Sequence, residues 1–207
     1  MAVRQSDHAY AVLKRAILTL ELAPGEPISD AELVERYGLG RTPLREALQR
    51  LAAEELVVTY GRRGMAVSPV TAGDIQSLFE LRVQLDGFAA RLAAERATAE
   101  DIARLEAILD GTVPGSEDPV LFDELIHEAL ADASHNTYLR STLRRLYALS
   151  VRMVNLLKFE RESLAQMRAE HAAVIEAIKA RDPAAAAEAA RKHVTARNWF
   201  PTLVPKE

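Results

Sequence analysis

Apolar residues recur at helical spacing along almost the whole chain. Val12/Leu13, Ala16/Ile17 and Leu20 form the first stripe, until Ala23-Pro24-Gly25 stops it. Ser29 followed by Glu32 has the spacing of a capping box, in which each side chain answers the other's exposed backbone amide. It predicts a short helix over Asp30–Tyr37, closed by Gly38. Thr42 then reads as the cap of a third helix with Pro43 at its first position, where a missing amide hydrogen costs nothing. That helix runs through Leu44, Ala47, Leu48 and Leu51 to about Glu54.

The period then shortens. Leu56–Tyr60 and Met65–Val67 are short segments carrying β-branched residues, joined by Gly61-Arg62-Arg63-Gly64, and they predict a hairpin. Ser68-Pro69 breaks it. From Thr71 and Asp74 onward the pattern is helical again, with pauses at Ala97-Thr98, Gly111–Pro119, Ala133–Asn136, Lys158–Ser163 and Asp182-Pro183. The expected fold class is mainly α: an N-terminal winged helix-turn-helix over residues 1–70, then a C-terminal all-α helical bundle over residues 71–207.

Composition narrows the function classes. Hydrophobic residues at 49% and charged ones at 27% of 207 describe a globular chain and exclude a disordered or fibrous one. There is no cysteine, which excludes a disulfide scaffold, a thiolate zinc site and a cysteine nucleophile. No apolar run approaches the ~18 residues of a membrane span, and the start MAVRQSDHAY lacks the apolar core of a signal peptide. The expectation is a cytoplasmic protein without a membrane partner.

Charge is unevenly placed. The net charge is -4, yet residues 1–70 hold nine basic and nine acidic side chains, so residues 71–207 carry the whole deficit. Within residues 36–63, six arginines face three glutamates. Arg41 and Arg45 are four apart and share the exposed face at the start of the third helix, the end that meets base edges in this architecture. Arg62 and Arg63 sit at the tip of the wing, where a contact to the DNA backbone or minor groove would fall. A single arginine reads equally as a solubilising residue. Four of them at the turn and the wing tip read as a DNA footprint.

The run Leu39-Gly40-Arg41-Thr42-Pro43-Leu44-Arg45-Glu46-Ala47-Leu48, with Leu51 and the wing Gly61–Val67, resembles the GntR family of bacterial transcription regulators over about 60 residues. The resemblance implies DNA contacts by Arg41, Thr42, Arg45 and the wing glycine, Gly64. Gly40 stands where the family usually has serine, and Ala31 where many members carry a basic residue.

The C-terminal region holds a second candidate site. Asp123 and His127 lie at i and i+4 and project from one helix face. His171 is eleven residues before Asp182 and His193 eleven after it. If the two helices fold back at that turn, both imidazoles sit about 16 Å from it and face each other. Three imidazoles and a carboxylate suit a divalent Zn, Ni, Mn or Fe ion and leave positions open for water or a ligand oxygen. Any one of these histidines alone reads as a capped or exposed helix residue; their joint placement favours a metal. His8 and His135 have no such partners and read as structural.

This region resembles the all-helical effector domain of the FCD subgroup of GntR regulators. The matching stretches are Glu80-Leu81-Arg82 through Leu92–Thr98, Phe122-Asp123 with His127 and Asn136, and Glu170-His171 through His193. The resemblance implies that Asp123, His127, His171 and His193 are the metal ligands, that a small carboxylate effector binds beside the metal, and that Arg82 is an effector-binding arginine. Asp86 replaces the usual glutamate. Arg152 and Asn155, in the helix expected over Leu143–Leu157, read either as further effector ligands or as exposed polar residues.

The expected function is a homodimeric regulator, with no catalytic residues, that reads a palindromic double-stranded DNA operator. Its DNA affinity would be modulated by a small organic acid bound beside the metal. The alternative is a metal-dependent hydrolase using the His/Asp site, since open metal positions can activate water. That reading needs an acidic general base, and Glu124 and Glu128 point off the ligand face. A nucleoid-type architectural protein would need a basic second domain, whereas residues 71–207 are acidic.

Overall fold

The computed structural model describes residues 4–61, 64–157 and 163–195. The chain divides into two compact units: Met1–Thr71 with Val151–Lys158, and Ala72–Ser150 with Phe159–Glu207.

In the first unit, helix α1 (Gln5–Leu18) buries Ala9, Leu13, Ala16 and Ile17 on one face. It ends before Leu20, whose φ of 63° is outside the helical region, so the expected stripe overran the helix by two residues. Strand β1 is Pro27–Ile28, and α2 is Asp30–Tyr37. Ser29 Oγ accepts the Glu32 amide at 3.4 Å, and Gly38 closes α2 in the left-handed region. Helix α3 (Arg41–Ala53) starts two residues earlier than the sequence suggests, with Gly40 rather than Thr42 at the cap. Pro43 thus occupies the third helical position. That costs no bond, because the first four helical amides have no partner within the helix. Leu44, Ala47, Leu48 and Leu51 form its buried face.

Strands β2 (Val57–Thr59) and β3 (Met65–Val67) pair antiparallel, with Val58 opposite Ala66. The expected wing of two strands has three. Pro27–Ile28 adds to the free edge of β3, Ile28 opposite Met65, in the order β1-β3-β2. A two-residue strand beginning with proline is too short to show alternation, and proline is tolerated there because it lies at an edge.

The second unit contains α4 (Ala72–Arg96), α5 (Ala99–Leu109), α6 (Pro119–Ala133), most of α7 (Thr137–Leu157), α8 (Leu164–Lys179) and α9 (Pro183–Thr195). The starts of α5, α7 and α8 have caps that the sequence supplies. Thr98 and Asp101 form a reciprocal capping box, Asn136 Oδ1 accepts the Leu139 amide at 3.1 Å, and Ser163 Oγ accepts that of Gln166 at 3.2 Å. The core gathers Leu105, Ile108, Phe122, Ile126, Ile175 and Ile178 with alanines of α4 and α9. These alanines let the two helices approach closely. Among the described residues, no helix is long and apolar enough to cross a membrane.

Candidate metal centre and nucleic-acid interface

The N-terminal unit presents its candidate DNA readers outward. Arg41, Thr42 and Arg45 lie on the first two turns of α3 and are all exposed, while Leu44, Ala47 and Leu48 on the opposite face are buried. Arg45 Nε donates to Asp30 Oδ2 at 3.0 Å. Gly64 is exposed at the end of the hairpin turn, with φ at 86°. That left-handed value strains any residue with a Cβ, which is why glycine stands there. The Tyr60 amide donates to Gly64 O at 2.8 Å and closes the turn. Arg62 and Arg63 lie outside the described residues.

In the helical unit, α6 supplies Asp123 and His127, α8 supplies His171 and α9 supplies His193. The hairpin geometry comes from the turn between α8 and α9. Asp182 Oδ1 accepts the amides of Ala184 (3.1 Å) and Ala185 (2.9 Å), and Pro183 starts the helix. Arg181, at φ 56°, donates to Ala97 O at 2.7 Å and pins the turn to the end of α4. The equal spacing from the turn then brings the two imidazoles together, with ring centroids 4.2 Å apart. His127 lies 5.1 Å from His171 and 5.3 Å from His193, centroid to centroid.

One donor atom from each of Asp123, His127, His171 and His193 lies within 4.8 Å of the others. First-row metal bonds of ~2.1 Å put donors about 3.4 Å apart in a tetrahedron and about 4.2 Å apart when trans. His127 Nε2 and Asp123 Oδ1 are 3.5 Å apart. The set therefore fits a divalent ion with side-chain movements below about an ångström. All three imidazoles are buried, and His127 Nε2 makes no hydrogen bond among the described residues.

The outer contacts orient the rings. His171 Nδ1 lies 2.8 Å from Met167 O, and His193 Nδ1 lies 2.7 Å from Glu170 Oε2. With Nδ1–H donated to these acceptors, each Nε2 keeps its lone pair, as a ligand must. The sequence reading missed Glu170 in this role, although it sits one residue before His171 and, like His193, a dozen or so residues from the turn.

The rings line a small cavity with Asp86, Ala89, Ala90, Leu130, Tyr147 and Ala190. Its volume is about 10 Å³, room for about one water-sized sphere. Arg82 is buried beside it and donates to Asp86 Oδ2 at 2.7 Å, while Tyr147 Oη donates to Asp86 Oδ1 at 3.1 Å. Burial opposes the Arg82 charge, but Asp86, Tyr147 and Asp123 outweigh it and raise the guanidinium pKa. Burial and the Asp86 charge push the Tyr147 hydroxyl well above the usual tyrosine range. Arg82 Nε makes no hydrogen bond among the described residues.

Arg152 and Asn155 are placed elsewhere. Both belong to the part of α7 that groups with the N-terminal unit, and neither is among the residues lining this cavity. Arg152 is buried and donates to Ser68 O. Burial lowers its pKa to about 10, so it stays charged at neutral pH. Asn155 Nδ2 donates to Leu18 O at 2.7 Å.

Residues 5–67 match the family described as bacterial regulatory proteins, gntR family, and residues 77–196 match the FCD domain. The chain is 29% identical to the HTH-type transcriptional regulator YdhC of Bacillus subtilis (strain 168), over 90% of this chain and 84% of that one. It is 28% identical to the galactonate operon transcriptional repressor of Escherichia coli (strain K12), over 92% and 93%. Among solved structures, E. coli McbR/YncC has the same fold, with a TM-score of 0.78 at 21% identity over 98% of each chain.

Proposed function

Because the chain belongs to the GntR family of bacterial regulatory proteins and carries an FCD domain, it is a DNA-binding transcription regulator, and we propose that a small carboxylate effector held beside a divalent ion sets its affinity for DNA. The families and relatives it matches are regulators rather than enzymes, and nothing in them supports the hydrolase alternative.

The observation that carries the proposal is the convergence of Asp123, His127, His171 and His193 from three helices onto one buried point. These four residues would hold a Zn, Ni, Mn or Fe ion. One carboxylate and three neutral imidazoles leave about one positive charge on such a site, which when loaded supplies an anchor for an anionic oxygen. Asp123, with its partly exposed side chain, stands at the accessible side of the cluster. Arg82 adds a buried cation nearby, already matched by Asp86.

The present cavity is far smaller than the ~300–1,000 Å³ of small-molecule pockets. An organic acid therefore needs α4, α6, α8 and α9 to repack around it. That repacking is the differential binding through which an effector shifts an equilibrium between two arrangements of a protein. A homodimer reading a palindromic double-stranded operator completes the proposal: two reading heads related by a two-fold axis match two half-sites. Arg41, Thr42, Arg45, Arg62, Arg63 and Gly64 would touch the DNA, in the bacterial cytoplasm where it lies.

Elemental analysis of the purified protein tests the metal half directly. About one divalent ion per chain is expected, with a lower melting temperature after chelation and recovery on adding the ion back. A protein that takes up no ion when supplied with each of these metals overturns the proposal.

A further inference from the structure

Among the described residues, one of the three arginines on α3 pairs with an acid on α2. Arg41 makes no ion pair among the described residues, and Arg50 pairs with Asp7 of α1. Arg45 pairs with Asp30, the first residue of α2, through its Nε at 3.0 Å. The chemistry of that contact matters. A guanidinium has five N–H donors in a rigid fork. A carboxylate held on Nε occupies the side of the fork and leaves its end, the two terminal nitrogens, available. That end is the edge that grips O6 and N7 of a guanine. Arg45 is 72% exposed by side chain, so no packing fixes it; Asp30 supplies the constraint.

We propose that Asp30 is a positioning residue for base recognition, holding Arg45 by Nε so that its terminal nitrogens are presented to a guanine before DNA arrives. This rests on the reading of Arg45 as a base contact. Asp30 is also a negative charge next to the phosphate backbone, and it weakens binding to any DNA regardless of sequence. Its two effects have opposite signs. It costs general affinity and adds discrimination at one base pair of each half-site.

The test is selection from a random-sequence duplex library by wild type, Asp30→Ala, Arg45→Ala and the double variant, followed by titration of random duplex DNA. The wild type is expected to enrich guanine at a symmetric pair of positions that Arg45→Ala relaxes. Asp30→Ala should relax the same pair and no other, by about two- to fivefold, in keeping with an exposed ion pair. It should also bind random duplex more tightly than wild type, and the double variant should select like Arg45→Ala alone. Asp30→Glu, which keeps the charge, should restore part of the preference. If Asp30→Ala leaves that position as selective as wild type, or relaxes every position together, the proposal is overturned. If Arg45→Ala itself relaxes no position, the reading of Arg45 as a base contact fails first, and Asp30's role falls with it.

Discussion

His193 Nδ1 lies 2.7 Å from Glu170 Oε2, a contact between α9 and α8 across the hairpin that also brings His171 and His193 together. The carboxylate fixes which ring nitrogen carries the proton and makes the opposite nitrogen a better donor. Glu170→Ala is therefore expected to weaken metal binding by about 10–100-fold, as loss of such an outer partner does. Glu170→Gln, which still accepts the N–H through its amide oxygen, should lose less. Competition against a chelator of known affinity measures both, and equal affinity in wild type and Glu170→Ala contradicts the role.

Arg152 distinguishes two parts of the molecule. Its guanidinium is buried against Ser68 O in the N-terminal unit, so its expected contribution is to stability. Arg152→Ala removes a charge-assisted hydrogen bond and leaves a space, at a cost of about 2 kcal/mol. Denaturant unfolding checks this. Metal content and effector response should be unchanged; their loss would place Arg152 in the effector site after all.

Asp101 gives a pH dependence with a definite sign. Burial raises its pKa, but the Thr98 amide, His135 and the Thr98 hydroxyl outweigh this and hold the carboxyl below its ordinary value. A carboxylate depressed in the folded state stabilises it above the unfolded pKa of ~3.9. That stabilisation disappears as pH falls through the lower, folded value. Asp101→Asn should thus be less stable than wild type at neutral pH, by under about 1 kcal/mol for a partly exposed group. The difference should shrink as pH falls through that lowered, folded value. Melting curves from pH 7 to 2.5 check it, and a gap that persists at the acid end contradicts the linkage.

The sequence carried the helical unit well because its pauses are chemical. Thr98, Asn136, Ser163 and Asp182 each cap the helix that follows. The apposition of His171 and His193 was legible for the same reason: a turn with equal arms places equal positions side by side. The third strand was not legible, since Pro27–Ile28 pairs only because β3 presents an edge to it. The cap of α3 fell on Gly40 because backbone geometry, not a side-chain oxygen, starts that helix. Asp86 and Tyr147 complete the surroundings of the histidines by contacts between distant segments, which no spacing rule reveals.

The central claim is that the buried Asp/His cluster carries the effector's influence on DNA. His171→Ala tests it most directly, with a duplex operator recovered by selection from random DNA and a panel of small organic acids. His171 is buried in the helical unit, while the reading head has its own core of Leu13, Ile17, Leu44 and Leu51. The variant should bind the operator as wild type does, contain little metal, and show no change in operator affinity with the acid that shifts wild type. Full metal occupancy together with an intact effector response in His171→Ala would contradict the account.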